Sequence, residues 1–390
     1  MVQKVILQYY VLIILTRCGI SIITATYVMF LLSKGLNLFE VNLVNVVFFT
    51  TLFICEVPTG AFADVFGRKA SFVLSCFIFS MGMIFYSFSN TFWEFAFAEA
   101  LSAVGATFAT GAFSSWLVDT LKHHNYDQST KAIFAKGAQL RHGVGIVAAL
   151  VGAYLSDISM SLPWLVGGIL FAVAGMTALI VMKEEYFVRE KFSFLGGWIK
   201  LKDVAKTSVE YGVKNKNIRF IMLLVLGLNF ATMAPNMQWQ PYFKQWLPNQ
   251  TTLGFLWSGM ALAMMLGAWL APKILKKVAD ERKALLYCHS VTALCIVGTV
   301  ALGILPVAVL IFFMHEVARG AFEPIKETYL HDNIPSSARA TIVSFESIAH
   351  HAGGAIGLVA SGALALYGSI TLAWIVSGAV LLTVTFSLRK

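Results

Sequence analysis

Charged residues are scarce in this chain. Asp, Glu, Lys and Arg make up 13% of its 390 residues, while hydrophobic residues make up 58%. Soluble domains carry about 25% charged and roughly 45–50% apolar residues. The composition therefore predicts an integral membrane protein, in which apolar side chains face lipid rather than water.

Cysteines and catalytic motifs are also few. The five cysteines all lie inside apolar runs without a C-x-x-C pair, and such cysteines behave as small hydrophobic residues. The sequence contains no glycine-rich phosphate-binding loop of the kind that holds ATP, and no nucleophile beside a base. We therefore expect no disulfide, no metal site, no cofactor and no enzymatic activity.

Long apolar runs dominate instead. A helix needs about 20 mostly apolar residues to cross a bilayer, and residues 71–89, 162–182 and 368–388 contain no charged side chain. Gly303 and Pro306 divide a longer apolar run, because proline removes a backbone donor and clashes with the preceding helical turn. The remaining spans lie near 5–33, 38–61, 92–121, 131–155, 217–246, 251–275, 308–331 and 338–366. The sequence thus predicts an all-α membrane protein with twelve transmembrane helices.

The 29 lysines and arginines are concentrated in alternate loops. Because cytoplasmic loops carry the excess of positive charge, this pattern places both termini in the cytoplasm. It predicts a multi-pass protein of the inner cell membrane. The pattern also explains the net charge of +9 without a nucleic-acid partner.

The longest polar stretch divides the chain into two halves. It separates an N-terminal six-helix bundle, 1–183, from a C-terminal six-helix bundle, 218–390, and forms a cytoplasmic linker at 184–217. Apolar residues of the linker, beginning with Phe194 and Trp198, recur at helical spacing. This spacing favours either an amphipathic helix on the membrane surface or a loosely ordered segment.

The two halves also resemble each other. Gly111-Ala112-Phe113 in the fourth span recurs as Gly320-Ala321-Phe322 in the tenth, and the same offset pairs Arg141 with His350. The shared offset predicts two pseudo-symmetric six-helix repeats. Some transporters are built in this way around a substrate site near the membrane midplane.

The turn between spans 2 and 3 carries a specific motif, Gly60-Ala61-Phe62-Ala63-Asp64-Val65-Phe66-Gly67-Arg68-Lys69. It resembles the signature G-x-x-x-D-x-x-G-R-[RK] of the major facilitator superfamily, and the helix number and size resemble its bacterial twelve-helix exporters. The resemblance implies that Asp64 caps span 11 and that Arg68 engages an acid of span 4, here Asp119. The implied inner gate comprises Gly60, Asp64, Gly67, Arg68, Lys69 and Asp119.

Two patterns that are typical of proton-coupled drug exporters are missing. Span 4 has no arginine, and the glycine-rich stretch of span 5 from Gly143 to Gly152 lacks a proline. The motifs therefore support the superfamily more strongly than its drug-exporter branch.

Ionisable side chains inside the spans are candidates for function, because they are costly at bilayer depth unless paired or hydrated. They are Arg17, Glu99, Arg141, Glu316, Arg319, Glu323, Lys326, Glu346 and His350. Arg141 follows Lys131 by about 15 Å of helix, which places it near the midplane. Spacings of three and four put the first four charged residues of span 10 on one face. The resemblance implies that Arg17, Glu99 and this face line a central cavity.

Two interpretations of these charges are open. In the functional one, Glu316, Glu323 or Glu346 carries a proton, while Arg17 and Arg141 hold an anionic group of a substrate. In the structural one, the opposite charges of span 10 neutralise one another and stabilise helix packing.

Together these features predict a secondary active transporter that works by alternating access. It would move a small organic molecule as a monomer in the bilayer and use the proton gradient as its energy source, with efflux favoured by the exporter resemblance. The main alternative is a proton-coupled importer of a polar or anionic metabolite, which Arg17 and Arg141 favour. A transition-metal exporter that uses the histidines of span 11, or a non-transporting sensor, are further alternatives.

Overall fold

The computed structural model describes residues 1–187, 215–333 and 339–389, and all regular structure in these ranges is helical. The first helices are α1 (Val2–Thr24), α2 (Tyr27–Ser33), α3 (Leu38–Phe66), α4 (Arg68–Phe88), α5 (Phe92–Ala109), α6 (Ala112–His123), α7 (Lys131–Ile158) and α8 (Leu162–Val181). They are followed by α9 (Lys216–Lys244), α10 (Gln250–Val278), α11 (Glu281–Ala301), α12 (Leu305–Asn333), α13 (Arg339–Tyr367) and α14 (Ile370–Ser387). Twelve spans of the described residues, with α5 and α6 counted together and the short α2 left out, are long and apolar enough to cross a membrane. The prediction of twelve transmembrane helices is confirmed.

The surface of these helices is apolar where lipid would contact it. Large side chains such as Trp93, Ile158 and Ile180 are exposed. Backbone polar groups are satisfied within the helices, as a lipid environment requires. The apolar composition is therefore explained by the outer faces as well as by the core.

Gly303 ends one helix and allows the next to begin. It adopts a φ of +62° between α11 and α12, a conformation that glycine takes without steric cost. Pro306 follows in the first turn of α12, where its missing N–H removes no helical hydrogen bond. The predicted division of this apolar run is confirmed.

Two other spans are interrupted in places that the sequence pattern did not indicate. The first span stops at Thr24 and resumes at Tyr27, where the hydroxyl of Thr26 is hydrogen-bonded to that of Ser156 on α7 (2.8 Å). The fourth span is broken at Gly111, which adopts a φ of +73°. Both breaks depend on tertiary packing or on positive φ, so hydrophobic periodicity does not reveal them.

The described residues pack into two compact units. The first contains Met1–Leu36, the chain from Val47 through α8, and Asn249–Gly254; the second contains Asn37–Val46 and the remainder from α9 onward. The predicted boundaries at 183 and 217 stay predictions. Most of the predicted linker, including Phe194 and Trp198, lies outside the described residues.

The helices of the first unit approach closely at small residues and aromatic stacks. A Cβ atom on Gly19 of α1 would lie 2.7 Å from the ring of Phe171 on α8. The rings of Tyr86 and Trp164 stack with centroids 3.8 Å apart. Small residues at such contacts stabilise helix association in membranes by allowing backbones to pack tightly.

In the second unit, α9 packs against α13, and α11 packs against α12. Phe322 of α12 and Leu285 of α11 lie in the buried core. Asn42, at the start of α3, donates to the carbonyl oxygen of Leu358 (2.7 Å) and to the hydroxyl of Ser361 (3.0 Å) on α13. These contacts fix α12 and α13, which carry most of the candidate charges.

Candidate functional site

The turn of the signature motif is shaped by Gly67. This residue joins α3 to α4 with a φ of +95°, a backbone conformation that residues other than glycine rarely adopt. A Cβ atom there would also lie 2.6 Å from the carboxylate of Glu184. Gly60 differs, because it lies within α3 and an added Cβ would meet no described atom within 4 Å.

Arg68 and Asp119 form the contact that the family resemblance implies. Arg68 begins α4, and its guanidinium makes an ion pair with the carboxylate of Asp119 on α6. Both side chains are 31% exposed, so the pair is partly shielded from water. The geometry unites two predicted gate residues, while their role as a gate stays a prediction.

Glu184 is a member of this cluster that the sequence interpretation missed. Its carboxylate accepts hydrogen bonds from the backbone N–H groups of Arg68 (2.8 Å) and Lys69 (3.0 Å). The first N–H groups of a helix have no partner within the helix, and a negative charge there is favoured by the helix dipole. The available signal is the position of Glu184, an acid directly after the sixth span and the first residue of the predicted linker.

The residues that follow α8 are attached to α6 by further hydrogen bonds. The indole of Trp116 donates to the carbonyl oxygen of Lys183 (3.0 Å), and the hydroxyl of Tyr186 donates to the backbone carbonyl oxygen of Trp116 (3.3 Å). Burial raises the pKa of Tyr186 to about 12, so its hydroxyl keeps the proton that it donates. This attachment positions Glu184 at the start of α4.

Asp64 is exposed, and no hydrogen bond or ion pair joins it to another residue in the described ranges. Its implied partner is the start of span 11, and residues 334–338, which lead into that span, lie outside those ranges. Lys69 contributes its backbone N–H to the Glu184 contact. The capping role of Asp64 therefore stays a prediction.

Arg17 and Arg141 lie together in the first unit. The Nε of Arg17 on α1 donates to the carbonyl oxygen of Arg141 on α7 (3.3 Å). Arg141 is exposed and Arg17 is half-buried. Within the described part of the chain, neither arginine makes an ion pair with a carboxylate.

Glu99 has a different environment. It is 9% exposed on α5, and its carboxyl lies close to the hydroxyl of Tyr86 on α4. Among the residues that the structure describes, it makes no ion pair. Nothing in these contacts brings Glu99 together with the arginines.

The charged face of span 10 divides into two clusters. In the first, Nη1 of Arg319 contacts both carboxylate oxygens of Glu316 (3.1 and 3.3 Å) and donates to Oδ1 of Asn236 on α9 (3.0 Å). Nδ1 of His315 lies 3.4 Å from Glu316 without the alignment of a hydrogen bond. Glu316 and His315 are almost fully buried.

The second cluster surrounds Lys326, whose side chain is 4% exposed. Its ammonium lies 2.6 Å from Glu323 and 3.9 Å from Glu327, and it makes an ion pair with Glu346 of α13. Glu346 is 16% exposed and Glu323 is 63% exposed. One buried ammonium thus lies among three carboxylates, of which one belongs to another helix.

The charged residues of span 10 bind separate partners. Arg319 is directed to Glu316 and Asn236, and no described contact joins it to Glu323. Glu327, the fifth charged residue of the span, also lies in the Lys326 cluster. Helical spacing gives the direction of each Cβ atom, but the long side chains choose partners on α9 and α13.

His350 is exposed on α13, next to the ring of His351 (5.4 Å between centroids). No group of three histidine, cysteine, aspartate or glutamate side chains within the described ranges is arranged to hold a metal ion. The five cysteines are free and buried or half-buried. These contacts give the transition-metal alternative no specific support.

Comparison with known proteins agrees with the architecture. The model of the Major Facilitator Superfamily matches residues 9–325. The MFS-type transporter YxaM of Bacillus subtilis (strain 168) is 21% identical over 378 residues, which cover 95% of this chain and 90% of YxaM. Multidrug resistance protein 2 of the same organism is 21% identical over 257 residues, which cover 65% of this chain and 62% of that protein.

A solved structure shows the same fold. The nucleoside transporter NupG superposes with a TM-score of 0.80 at 13% identity, covering 98% of each chain. At this identity the likeness establishes the fold and not the substrate. Because the family model matches residues 9–325, which are most of the chain, and twelve helices within its described part are long and apolar enough to cross a membrane, the chain belongs to the Major Facilitator Superfamily of multi-pass membrane transporters.

Proposed function

We propose that this protein is a proton-coupled secondary active transporter of a small organic molecule, and that Glu346 carries the proton. The supporting observation is the imbalance of charge around Lys326. Three carboxylates lie within 3.9 Å of one ammonium that is almost excluded from water. A purely structural ion pair needs one carboxylate for each ammonium.

Surplus negative charge favours the uptake of a proton, because protonation of one carboxylate relieves its repulsion with the others. Glu323 is exposed, so it can exchange protons with water, while Glu346 is largely buried. Protonation of Glu346 neutralises the ion pair between α13 and α12. A proton on Glu346 thus weakens one specific contact, the ion pair between α12 and α13.

The Lys326–Glu346 ion pair can link protonation to alternating access. Helix packing in membranes depends on polar contacts between helices, so loss of the Lys326–Glu346 pair changes the preferred position of α13. Substrate binding that favours one position then couples substrate movement to proton movement. The Arg68–Asp119 pair with Glu184 is proposed as an inner gate, and the protein is proposed to work as a monomer in the inner membrane with both termini in the cytoplasm.

Efflux is the proposed direction. Similarity to Multidrug resistance protein 2, although at 21% identity, supports it. Import of a polar or anionic metabolite is the second candidate, and the adjacent arginines Arg17 and Arg141 favour it.

The proposal is tested with inverted membrane vesicles that hold a pH gradient reported by a fluorescent weak base. A panel of ethidium, tetraphenylphosphonium, uridine, benzoate and succinate is added, and we expect at least one compound to release protons. The Glu346→Gln variant should lose this release while it still binds the same compound in a thermal-shift assay.

Asp332→Asn is the matched control, because Asp332 is an exposed acid near the end of the same helix as Lys326. This variant should retain proton release. Proton release by Glu346→Gln at the wild-type rate would contradict the assignment.

A further inference from the structure

Two cationic side chains of the first unit, Arg17 and Arg141, lie next to each other. Nε of Arg17 contacts the backbone of Arg141 at 3.3 Å, and no carboxylate of the described residues makes an ion pair with either side chain. A cation at bilayer depth is costly unless an anion or water compensates it. Two adjacent arginines without a described anion therefore form an electrostatically incomplete site.

Space for Arg17 is provided by Gly145. This glycine lies one turn after Arg141 on α7, and a Cβ atom there would lie 3.1 Å from Nε and 3.3 Å from Nη2 of Arg17. A side chain at this position would crowd the guanidinium and force it to shift by a few tenths of an ångström. The glycine thus leaves room for the guanidinium beside α7.

Ser21 supplies a further donor. It follows Arg17 by one turn of α1. Its Oγ would lie 3.3 Å from a Cβ atom on Gly145, as close as the guanidinium of Arg17. Ser21 is fully buried, and its hydroxyl has no hydrogen-bond partner among the residues that the structure describes. Buried hydroxyls are normally satisfied, so this hydroxyl is available to a bound group.

The site also has an orientation. Arg141 is exposed, whereas Arg17 is half-buried and Ser21 is fully enclosed. The hydroxyl of Tyr9 lies close to the side chain of Arg141. An anion would meet Arg141 first and Arg17 with Ser21 second.

We propose that Arg17, Arg141 and Ser21 form a subsite for an oxyanion, a carboxylate or a phosphate, carried by the transported molecule. Guanidinium groups match both oxyanions because their N–H groups donate in parallel pairs. The inference rests on the proposed transport function and adds the chemical class of the substrate. A lipid headgroup carries the same phosphate chemistry, so the experiment distinguishes the two sources.

The test measures binding by the full-length protein without a pH gradient. Protein in nanodiscs of phosphatidylcholine alone is titrated with succinate, benzoate and phenyl phosphate at constant ionic strength, and thermal unfolding is recorded. We expect at least one of these oxyanions to stabilise the wild type, whereas tetraphenylphosphonium does not compete with it. A ligand that binds the folded state raises the apparent melting temperature.

Three variants locate the binding. Arg141→Gln and Arg17→Gln should raise the Kd about tenfold or more, because charge-assisted hydrogen bonds are lost. Gly145→Ala should weaken binding without any change of charge. Lys136→Gln is the matched control, since Lys136 is an exposed cation on α7, and it should bind like the wild type. Because Arg141 is exposed, its variant keeps the test valid even if Arg17→Gln does not fold.

Each opposing outcome overturns the inference. These are the absence of binding by all three oxyanions, equal binding by Arg141→Gln and wild type, or stabilisation only by added phosphatidylglycerol. The two proposals fail separately. Oxyanion binding without proton release contradicts proton coupling alone, whereas proton-coupled transport of tetraphenylphosphonium without oxyanion binding contradicts this subsite alone.

Discussion

At the scale of single residues, Glu184 and Glu185 are adjacent acids with different surroundings. Glu184 accepts two backbone hydrogen bonds at the start of α4. Glu185 is 63% exposed and lies 3.7 Å from the exposed ammonium of Lys183. Pairs of exposed charges contribute little to stability, so we expect the two carboxylates to differ in effect although their charge is the same.

Replacement of Glu184 by alanine should lower the free energy of unfolding by about 1–2 kcal/mol, the usual cost of losing a helix cap. Glu185→Ala should change it by less than about 0.5 kcal/mol, as is normal for exposed positions. Thermal unfolding in a mild detergent measures both values. Equal effects of the two variants would show that Glu184 does not stabilise α4.

Arg68 gives a second prediction at this scale, because its ion pair with Asp119 belongs to the proposed gate. Arg68→Ala should slow transport turnover more than it weakens binding of a compound that releases protons. Vesicle flux gives the rate, and a thermal-shift titration gives the Kd. Lys122→Ala, which removes an exposed cation of α6, is the control. Weaker binding at an unchanged rate would refute the gate assignment.

At the scale of elements, the two signature glycines have separate roles. Gly67 forms the turn between α3 and α4 with a φ of +95°. Gly60 lies inside α3 with open space around it. The motif therefore combines one position that requires glycine for its backbone with one whose described surroundings do not require it.

Gly67→Ala should destabilise the protein by about 1–3 kcal/mol, the cost of holding an L-residue in a positive-φ region that is almost restricted to glycine. Contact with Glu184 adds to this cost. Gly60→Ala should be neutral or stabilise by up to about 1 kcal/mol, because alanine has the higher helix propensity. Urea or thermal unfolding of the two variants tests the difference, and similar losses of stability would contradict it.

The start of α11 provides a pH-dependent prediction. Asp280 caps this helix by accepting a hydrogen bond from the backbone N–H of Lys283 (3.0 Å), and this bond lowers the pKa of Asp280. A carboxyl whose folded pKa is lowered stabilises the protein above its unfolded pKa of about 3.9. That contribution is lost as the pH falls through the folded pKa.

Asp280→Asn should therefore reduce the dependence of the melting temperature on pH below about 4.5, where the unfolded acid begins to take up protons. Above this range the variant should lose little stability, since asparagine also caps helices well. Melting curves between acidic and neutral pH measure the effect. An unchanged acid slope would show that this cap does not contribute to it.

At the scale of the whole molecule, the fold could be predicted because a lipid environment restricts the backbone structures that a spanning segment can adopt. Uncharged runs must form helices whose backbone groups are satisfied internally, and Gly303 with Pro306 marked a true break. The interruption at Gly111 was not predictable, because glycine inside an apolar run is compatible with a continuous helix. Only its φ of +73° shows the break.

Most residues of the candidate site could be predicted from the sequence, but the contacts between their side chains could not. Charges inside apolar spans identified Arg141, Lys326 and Glu346, because an ionisable residue in an apolar run is recognised from the sequence without knowledge of its partner. Their grouping depends on side-chain reach between helices. For this reason the separation of the Glu316 and Lys326 clusters appears only in the structure.

The central claim is that proton movement drives substrate movement through Glu346. It is tested most directly by the uphill uptake of a proton-releasing compound into proteoliposomes, with an imposed pH gradient and after nigericin collapses that gradient. The account predicts accumulation against the compound's own gradient only while the pH gradient exists, and none by Glu346→Gln. Equal accumulation after the gradient has collapsed would contradict it.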